Sequence, residues 1–351
     1  MNDPFELHPE DKLLMKDREM IADVVVGLQF GDEGKGKVTH QLVRNGNYTH
    51  VIRFNGGCNA GHTIYHEGKK FVTHHIPAGV FYGIKSVIGP GCVVNPRQLF
   101  KEIKELEAGG INVRENLRIA ANAHVITDFH VAEDSRDEDI GTTKTVNGPA
   151  YRDKYARKGV MAIEIPEFDD MIIDMYTELH ENPEFDKIEV LCEGAQGFGL
   201  DIDWGEYPFV TSSHCTTSGV IANGIPHNSI RDVWGVAKVY ETYVGAKDFE
   251  DEADEVFAQI REVGSEFGAT TGRPRQVSWM SMDMIKRSIK VNGANKVVFN
   301  KADILDKVGV WCVYDGMDAH DFETAEDMEQ WILHEIDEPE ILIFSRSPEE
   351  I

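Results

Sequence analysis

A glycine-rich loop near the start of the chain carries two carboxylates and two lysines within seven residues. The stretch Gly31 to Lys37 reads GDEGKGK and follows the apolar run 24–26. A strand, a glycine loop and a helix commonly form an anion site, because the helix presents free N–H groups and glycine lets the backbone approach the ligand. The P-loop pattern G-x-x-x-x-G-K is nearly complete, but Val38 stands where Ser or Thr would hold magnesium. A carboxylate beside phosphates is repulsive without a cation or a proton between them, so Asp32 predicts magnesium coordination or proton abstraction next to a phosphate.

A second glycine-rich turn follows the next predicted strand. Residues 55–63 read NGGCNAGHT. His62 in this turn could donate a proton to a developing oxyanion, because imidazole titrates near neutral pH. Beside a phosphate loop that carries a carboxylate, this predicts a functional rather than a structural role for His62.

Two further turns place glycine and threonine next to basic residues. One reads GTTK at 141–144, and the other reads GATTGRPR at 268–275. Hydroxyl and backbone N–H groups suit phosphate or carboxylate oxygens, and Arg binds a carboxylate through two parallel hydrogen bonds. The two turns predict two anionic ligands.

A fourth turn, NKAD at 300–303, follows the apolar run 296–300. In P-loop proteins an N-K-x-D turn reads guanine, because its Asp accepts hydrogen bonds from the N1–H and the 2-amino group while the Lys stem covers the ring. Adenine offers no such pair of donors. Downstream of a P-loop-like start, the turn predicts a guanine-reading site.

Short apolar runs bounded by turn residues predict the strands that position these turns. They lie at 23–28, 49–54, 85–89, 117–121, 188–193, 233–240, 296–300 and 340–345. Helices are predicted between them, at 97–108, 168–180, 250–262, 281–292 and 323–336. This alternation predicts an α/β fold with a mostly parallel central sheet and helices on both faces.

The composition is typical of a soluble enzyme. The chain has 351 residues, 41% of them hydrophobic, and a formal net charge of −26. This charge repels duplex DNA and anionic membranes, so we expect neither nucleic-acid nor membrane partners. Five scattered Cys without C-x-x-C spacing argue against a disulfide framework or a zinc site and indicate a cytoplasmic location. Residues 1–19 lack a signal-peptide pattern, and we interpret them as a polar extension before a single catalytic domain at 20–351.

Together the motifs resemble those of adenylosuccinate synthetases. They are GDEGKGK (31–37), NAGHT (59–63), GTT…GPAY…AR (141–157), EGAQG (193–197), YPFVTSS (207–213), EFGATTGR (266–273) and NKAD (300–303), in the order of that family. The resemblance implies a P-loop-NTPase-like fold with small inserted subdomains. It also implies a ligase that joins L-aspartate to C6 of a 6-oxopurine nucleotide through a 6-phosphoryl intermediate, using a nucleoside triphosphate and Mg²⁺.

The resemblance implies a role for each motif. Asp32 would take the N1 proton of the purine and bind magnesium together with the Gly61 carbonyl. His62 would polarise O6, and Lys35 would bind the transferring phosphoryl group. The triphosphate and its base would be bound by Gly31, Glu33, Gly34, Lys35, Gly36, Lys37, Gly61, His62, Thr63, Lys301 and Asp303.

The other substrates follow in the same way. The substrate nucleotide would be bound by Asn59, Thr142, Thr143, Arg157, Gln196 and Thr211. The aspartate would be bound by Thr270, Thr271, Arg273 and Arg275. Arg157 would reach the nucleotide's phosphate from a neighbouring subunit, which implies a homodimer.

Some positions depart from the usual family pattern. The chain is shorter, the four-arginine run is broken to Arg273-Pro274-Arg275-Gln276, and the S-T-G-P turn beside the guanine survives only as Ser345-Arg346-Ser347-Pro348. ATP is therefore an alternative to GTP as phosphoryl donor.

The compact length and two segments look most like a short viral branch that makes 2-aminoadenylosuccinate from dGMP for diaminopurine DNA. The segments are 211–217 (TSSHCTT) and 240–247 (YETYVGAK). Many members of that branch lack the catalytic Asp, whereas Asp32 is retained here. In this reading the enzyme acts in the host cytoplasm. The alternative substrate is IMP, in AMP biosynthesis, and a remote alternative is a P-loop GTPase-like switch, against which Asp32 and Val38 both argue.

Overall fold

The computed structural model describes residues 19–59, 61–134, 146–250, 255–268, 272–336 and 339–351. Within these ranges a nine-stranded sheet forms the centre of the protein, and every pairing in it is parallel. Its strands are β1 (Glu19–Gly27), β2 (His50–Arg53), β5 (Lys85–Ile88), β7 (Leu117–Ala120), β9 (Ile172–Ile173), β10 (Lys187–Glu193), β11 (Ile230–Lys238), β14 (Lys296–Asn300) and β17 (Ile341–Phe344). Across the sheet they run in the order β17, β14, β11, β1, β10, β2, β5, β7, β9.

Helices connect and flank these strands. They are α1 (Lys35–Asn45), α2 (Pro96–Ala108), α3 (Val113–Asn116), α4 (Asp128–Asp134), α5 (Asn147–Tyr155), α6 (Thr217–Ala222), α7 (Glu255–Gly264), α8 (Met282–Asn292), α9 (Ala302–Val308) and α10 (Ala325–Glu335). Short 3₁₀ turns lie at 78–82, 162–164, 166–168, 198–200 and 227–229. The predicted mostly parallel α/β fold is confirmed.

Smaller sheets are inserted around the central one. Four strands, β12 (Tyr240–Tyr243), β13 (Gln276–Ser281), β15 (Trp311–Asp315) and β16 (Asp318–Phe322), form a second sheet. The strands β3 (His62–His66) and β4 (Lys69–Thr73) form an antiparallel hairpin, and β6 (Val93–Val94) pairs with β8 (His124–Val125).

The central strands are buried on both faces, which explains their continuous apolar runs. Val24, Val25 and Val26 in β1 are fully buried, as are Val297 and Val298 in β14. All eight predicted strands are present in this sheet. Because parallel strands end at the same edge, the carboxyl ends of β1, β2, β10 and β14 bring four of the predicted motifs together.

One predicted helix is wrong. At 168–180 the structure has the end of a 3₁₀ turn, then β9, and then most of a π-helical turn at Thr177–Glu181. The spacing of apolar residues there suits a helix, but Ile172 and Ile173 pair with β7 and extend the sheet. The helix predicted at 250–262 begins at Glu255 and ends at Gly264, and residues 251–254 lie outside the described ranges.

The predicted extension at 1–19 falls almost entirely on residues that the structure does not describe, and Glu19 already belongs to β1. The single catalytic domain at 20–351 stays a prediction. Among the described residues no helix combines the length and the apolar character needed to cross a membrane.

Candidate active site

The glycine loop joins the end of β1 to the start of α1. Gly31 and Gly34 have φ of +91°, and Asp32 has φ of +57°. A side chain on Gly34 would meet the Asn300 amide, since a Cβ there would lie 2.8 Å from Asn300 Nδ2. Asn300 Nδ2 donates to the carbonyl of Glu33 at 2.7 Å, so the turn after β14 holds the loop in place.

The two carboxylates of the loop have different surroundings. Glu33 is fully buried, and its carboxylate accepts the N–H groups of Gln29 and Gly31 and the ammonium of Lys35. The Asp32 side chain is 37% exposed. Glu33 therefore stabilises the loop, whereas Asp32 is the carboxylate open to a ligand.

His62 lies at the start of β3 and is held by a buried ion pair. Its Nδ1 is 2.6 Å from Glu193 Oε1, and Arg53 Nη1 lies 3.0 Å from the same oxygen. Burial, and then the nearby Arg53, lower the pKa of His62 to about 4, although Glu193 acts in the opposite direction. Burial alone would raise the pKa of Glu193, but His62 and Arg53 lower it to about 2. At neutral pH a neutral imidazole thus donates its Nδ1–H to a carboxylate, which leaves Nε2 without a proton.

Arg275 contacts the open carboxylate of the loop. Its Nε lies 3.1 Å from Asp32 Oδ2, and its Nη1 donates to the buried carboxylate of Glu266. The Nε–H makes no hydrogen bond to an acceptor in the part of the chain that the structure describes. Arg275 and Asp32 therefore attract each other by charge, while the Nε–H of Arg275 is not used in a hydrogen bond to Asp32.

A cavity of about 980 Å³ gathers most of the predicted residues. Its lining includes Gly31, Asp32, Glu33, Gly34, Lys35, Gly36, Lys37, Asn59, Gly61, His62, Thr63, Gln196, Thr211, Arg275, Lys301 and Asp303. Two predicted residues lie elsewhere: Arg157 and Arg273 are exposed and outside this lining. Thr142, Thr143, Thr270 and Thr271 fall outside the described residues.

Lys37 has partners that the sequence did not predict. Its ammonium donates to Ser345 Oγ at 2.7 Å, to the Ser347 carbonyl at 2.8 Å and to the Glu350 carbonyl at 3.1 Å. Burial lowers the pKa of Lys37 to about 8. Ser347 and Pro348 line the same cavity as Asp303, so the C-terminal turn closes the end of the cavity predicted for the base.

Two buried carboxamides face the cavity with atoms that lack partners. Gln196 Nε2 donates to Asn59 Oδ1 at 2.8 Å, but Gln196 Oε1 has no hydrogen-bond partner among the described residues. Asn147, at the start of α5, is 6% exposed, and within the described ranges neither of its amide atoms has a partner. Both lie against the pair Gly56-Gly57. A Cβ on Gly56 would lie 2.9 Å from Gln196 Oε1, and a Cβ on Gly57 would lie 2.6 Å from Asn147 Oδ1. Buried amide groups without partners are rare, so both are suited to a ligand.

Sequence reasoning missed Asn147 and assigned no role to Glu193 or Glu266. Glu193 and Glu266 open the motifs EGAQG and EFGATTGR, and Asn147 directly precedes GPAY. Each could have been singled out as a polar residue next to a glycine-containing motif. Their partners are distant in sequence, and the motifs alone do not identify them.

Comparison with known proteins gives the following similarities. A family model described as adenylosuccinate synthetase matches residues 24–169 and 164–333. The adenylosuccinate synthetase of Chlorobium chlorochromatii (strain CaD3) is 39% identical over 360 aligned residues, covering 87% of this chain and 82% of the relative. That of Chlorobaculum tepidum is 37% identical, covering 86% and 82%.

Solved structures show the same fold. The fully ligated adenylosuccinate synthetase of Plasmodium falciparum superposes with a TM-score of 0.82 at 28% identity, covering 93% of this chain and 97% of that one. The succinoaminodeoxyadenylate synthetase of cyanophage S-2L, solved with dGMP and with dATP as energy donor, has a TM-score of 0.70 at 23% identity, covering 91% and 100%. At that identity the second likeness concerns the fold alone.

Proposed function

The chain belongs to the adenylosuccinate synthetase family, and on that premise we propose that Asp32, Lys35 and His62 act on a 6-oxopurine nucleotide. The family consists of ligases that form a C–N bond between aspartate and a purine nucleotide, with GTP and Mg²⁺. The observation that supports these roles is the single cavity of about 980 Å³ that contains all three side chains together with Arg275.

The first proposed step transfers a phosphoryl group. Asp32 takes the N1 proton, and the electron pair moves through the ring to O6. O6 then attacks the γ-phosphorus, and the bond to the nucleoside diphosphate breaks. Lys35, 4% exposed and lining the cavity, holds the transferring group. For this step Asp32 must leave its contact with Arg275.

The second proposed step forms the C–N bond. The amine of aspartate attacks C6, the C6–O6 bond breaks, phosphate leaves and the nitrogen loses its protons to solvent or to a base. Arg275 is suited to bind an aspartate carboxylate, because its Nε–H has no hydrogen-bond acceptor among the residues that the structure describes. Binding would also draw Arg275 away from Asp32.

His62 must gain a proton to serve as the acid. Its pKa of about 4 belongs to the protein without ligands. Phosphate groups bound next to Nε2 would favour the imidazolium and raise that pKa. Glu193 would then stabilise the charged ring through Nδ1, and Nε2–H would donate to O6 or to the transferring phosphoryl group.

The residues of the loop fit a magnesium ion. Magnesium is usually bound by one or two carboxylates together with phosphates and water, and Asp32 offers one partly exposed carboxylate in the cavity. We propose Asp32 and the Gly61 carbonyl as its protein ligands. Bound there, the ion would neutralise charge on the triphosphate.

For the nucleotide we propose dGMP, with IMP as the second candidate. Guanine has a 2-amino donor that hypoxanthine lacks, and Gln196 Oε1 is a buried acceptor that has no partner within the described ranges. The segments 211–217 and 240–247 also support dGMP. IMP is favoured by the 39% identity to bacterial adenylosuccinate synthetases. If dGMP is the substrate, the enzyme acts in a viral host's cytoplasm.

The triphosphate and the assembly are proposed as follows. Lys301 and Asp303 read the base of GTP, and the altered turn at 345–348 leaves ATP as an alternative donor. Two copies form a homodimer in which Arg157, exposed and outside its own cavity, reaches the phosphate in the partner's site.

One set of assays tests the proposal. IMP, GMP and dGMP are each combined with GTP or ATP, in the presence of aspartate and Mg²⁺, and phosphate release and succinyl-purine formation are measured. We expect product only when a 6-oxopurine monophosphate and aspartate are both present, with kcat/KM at least about tenfold higher for dGMP than for IMP. A preference for IMP would identify an enzyme of AMP synthesis, and hydrolysis without aspartate would favour a GTPase-like switch.

A further inference from the structure

One buried carboxylate lies between cations from two parts of the cavity. Glu266 is 1% exposed and follows α7. Its Oε1 accepts the hydroxyl of Tyr240 at 2.6 Å and the ammonium of Lys238 at 3.3 Å. Its other oxygen accepts Arg275 Nη1, and Lys301 Nζ lies 3.9 Å from Oε1. Three cations thus share one carboxylate.

The charge balance of this cluster depends on Glu266. Burial alone would raise the pKa of Glu266, but Lys238, Lys301 and Arg275 lower it to about 2, so the group is ionised. Lys238 is itself 1% exposed, and burial lowers its pKa. Without the carboxylate, the buried Lys238 would face Arg275 and the 38% exposed Lys301, with Asp32 as the remaining counter-charge to Arg275, which is unfavourable.

Two of these cations belong to different proposed ligands. Arg275 contacts Asp32 and is the proposed aspartate-binding residue. Lys301 belongs to the turn proposed to read the triphosphate's base, and its ammonium donates to the Gly264 carbonyl at 2.8 Å. Both line the same cavity, whereas Glu266 lies beneath its lining.

We propose that Glu266 is a positioning residue that couples binding of the amino acid to binding of the triphosphate. This inference rests on the proposed function. An aspartate carboxylate that binds Arg275 through two hydrogen bonds draws the guanidinium away from Glu266 as well as from Asp32, and this leaves part of the negative charge of Glu266 uncompensated. That charge then holds Lys301 more firmly in the base-reading position, so the triphosphate binds more tightly. By linkage, the triphosphate strengthens aspartate binding by the same factor.

The test measures this coupling directly. Succinate, a dicarboxylate without the reacting amine, replaces aspartate, and a non-hydrolysable triphosphate analogue with Mg²⁺ replaces the donor, with the mononucleotide present throughout. Calorimetry gives the Kd of the analogue with and without saturating succinate. We expect succinate to lower this Kd about five- to tenfold in the wild type, and less than twofold in Glu266→Gln, which keeps the size and the acceptor but loses the charge.

Two controls separate coupling from a structural role. Tyr240→Phe removes a neutral donor from the same oxygen and should retain the coupling. The Kd of the mononucleotide alone should stay within twofold in Glu266→Gln. Absence of coupling in the wild type, full coupling in Glu266→Gln, or equal weakening of all three ligands would overturn the inference.

Other outcomes are also decisive. If Glu266→Gln does not unfold cooperatively on heating, Glu266→Asp is used instead, because it keeps the charge but shortens its reach. In Glu266→Asp, the factor by which succinate lowers the Kd of the triphosphate analogue should be at most half of the wild-type factor. An unchanged factor in this variant counts against the inference. A wild type that binds no mononucleotide would contradict the proposed function itself, which is a different result from binding without coupling.

Discussion

His62 Nδ1 and Glu193 Oε1 lie 2.6 Å apart, and both residues are almost completely buried. Glu193 is the last residue of β10, and its second carboxylate oxygen accepts the N–H of Ala78 at 3.0 Å. The pair thus fixes the ring, its tautomer and the direction of Nε2 before any ligand binds. Preorganisation of this kind is how a buried imidazole is made ready for one proton transfer.

The first prediction concerns Glu193. Glu193→Gln keeps an acceptor for Nδ1–H but cannot stabilise an imidazolium, so kcat should fall about 100-fold with a small change in the KM for nucleotide. Steady-state kinetics at several pH values measure this. In wild type, NMR should show the pKa of His62 rising from about 4 when mononucleotide and a triphosphate analogue are added. An unchanged kcat would remove the proposed role of the ion pair.

The second prediction separates the two carboxylates of the glycine loop. Asp32→Asn should lower kcat by about 10³-fold or more, while nucleotide binding stays measurable by calorimetry. Glu33→Gln should mainly lower the thermal unfolding midpoint, because Glu33 is fully buried and bonded within the loop. Near-normal turnover in Asp32→Asn would contradict its assignment as the base.

The third prediction concerns Asn147. This residue begins α5, and it lines the cavity together with Thr211. We expect its amide to donate to the substrate phosphate. Asn147→Leu should weaken nucleotide binding about tenfold and leave binding of the phosphate-free nucleoside within twofold. Equal losses for nucleotide and nucleoside would mean that Asn147 does not contact the phosphate.

The fourth prediction tests the shared site. Arg157→Ala and Asp32→Ala should each be nearly inactive alone. If Arg157 completes the partner's site, mixed dimers contain one site with both defects and one with neither, so mixing the two inactive proteins should restore activity. The rate after subunit exchange measures this, and size-exclusion chromatography checks that a dimer is present. No recovery in mixed dimers would place Arg157 outside the partner's site.

The fifth prediction concerns stability and pH. Burial raises the pKa of Glu241 from 4.5 to about 8. Between these pH values the folded protein keeps a proton that the unfolded chain has lost, so the free energy of unfolding falls as pH rises. Glu241→Gln removes this dependence and retains an acceptor for the N–H of Ser281. Its stability relative to wild type should grow from pH 5 to 8, by up to about 1.4 kcal/mol per pH unit.

Thermal unfolding at several pH values measures that difference. The same substitution at Glu105, whose side chain is 61% exposed, is the matched control at an exposed carboxylate. A difference for Glu241→Gln that stays constant with pH would mean that the Glu241 carboxyl is not protonated in the folded protein at neutral pH.

The sequence predicted the central sheet well because its signals are local. Each strand is a short apolar run with turn residues at its ends, and burial on both faces keeps these runs continuous. The glycine loop and the turn at 300–303 were likewise located from their residues and from the strands before them. The helix predicted at 168–180 was wrong because the spacing of apolar residues there suits a helix as well as an edge strand. Pairing with β7 decided in favour of the strand.

The contacts within the site could not be predicted in the same way. Lys37 meets Ser345, and Arg53 meets Glu193, across long stretches of chain. Local sequence patterns identify the residues that are suited to catalysis or binding. The order of the strands in the sheet decides which of these residues share a proton or a counter-ion. The position of Glu266 among three cations is such a case.

The strand that supports the glycine loop is flanked on both sides by strands from the second half of the chain, since β1 pairs with β10 and β11. On a ribosome, the residues proposed to bind phosphate emerge early but have no sheet to join until much later. Such long-range pairing makes folding slow and leaves apolar strand edges exposed in the meantime. A nascent chain of this protein should therefore depend on protection from aggregation, and a short N-terminal fragment should not serve as a minimal phosphate-binding module.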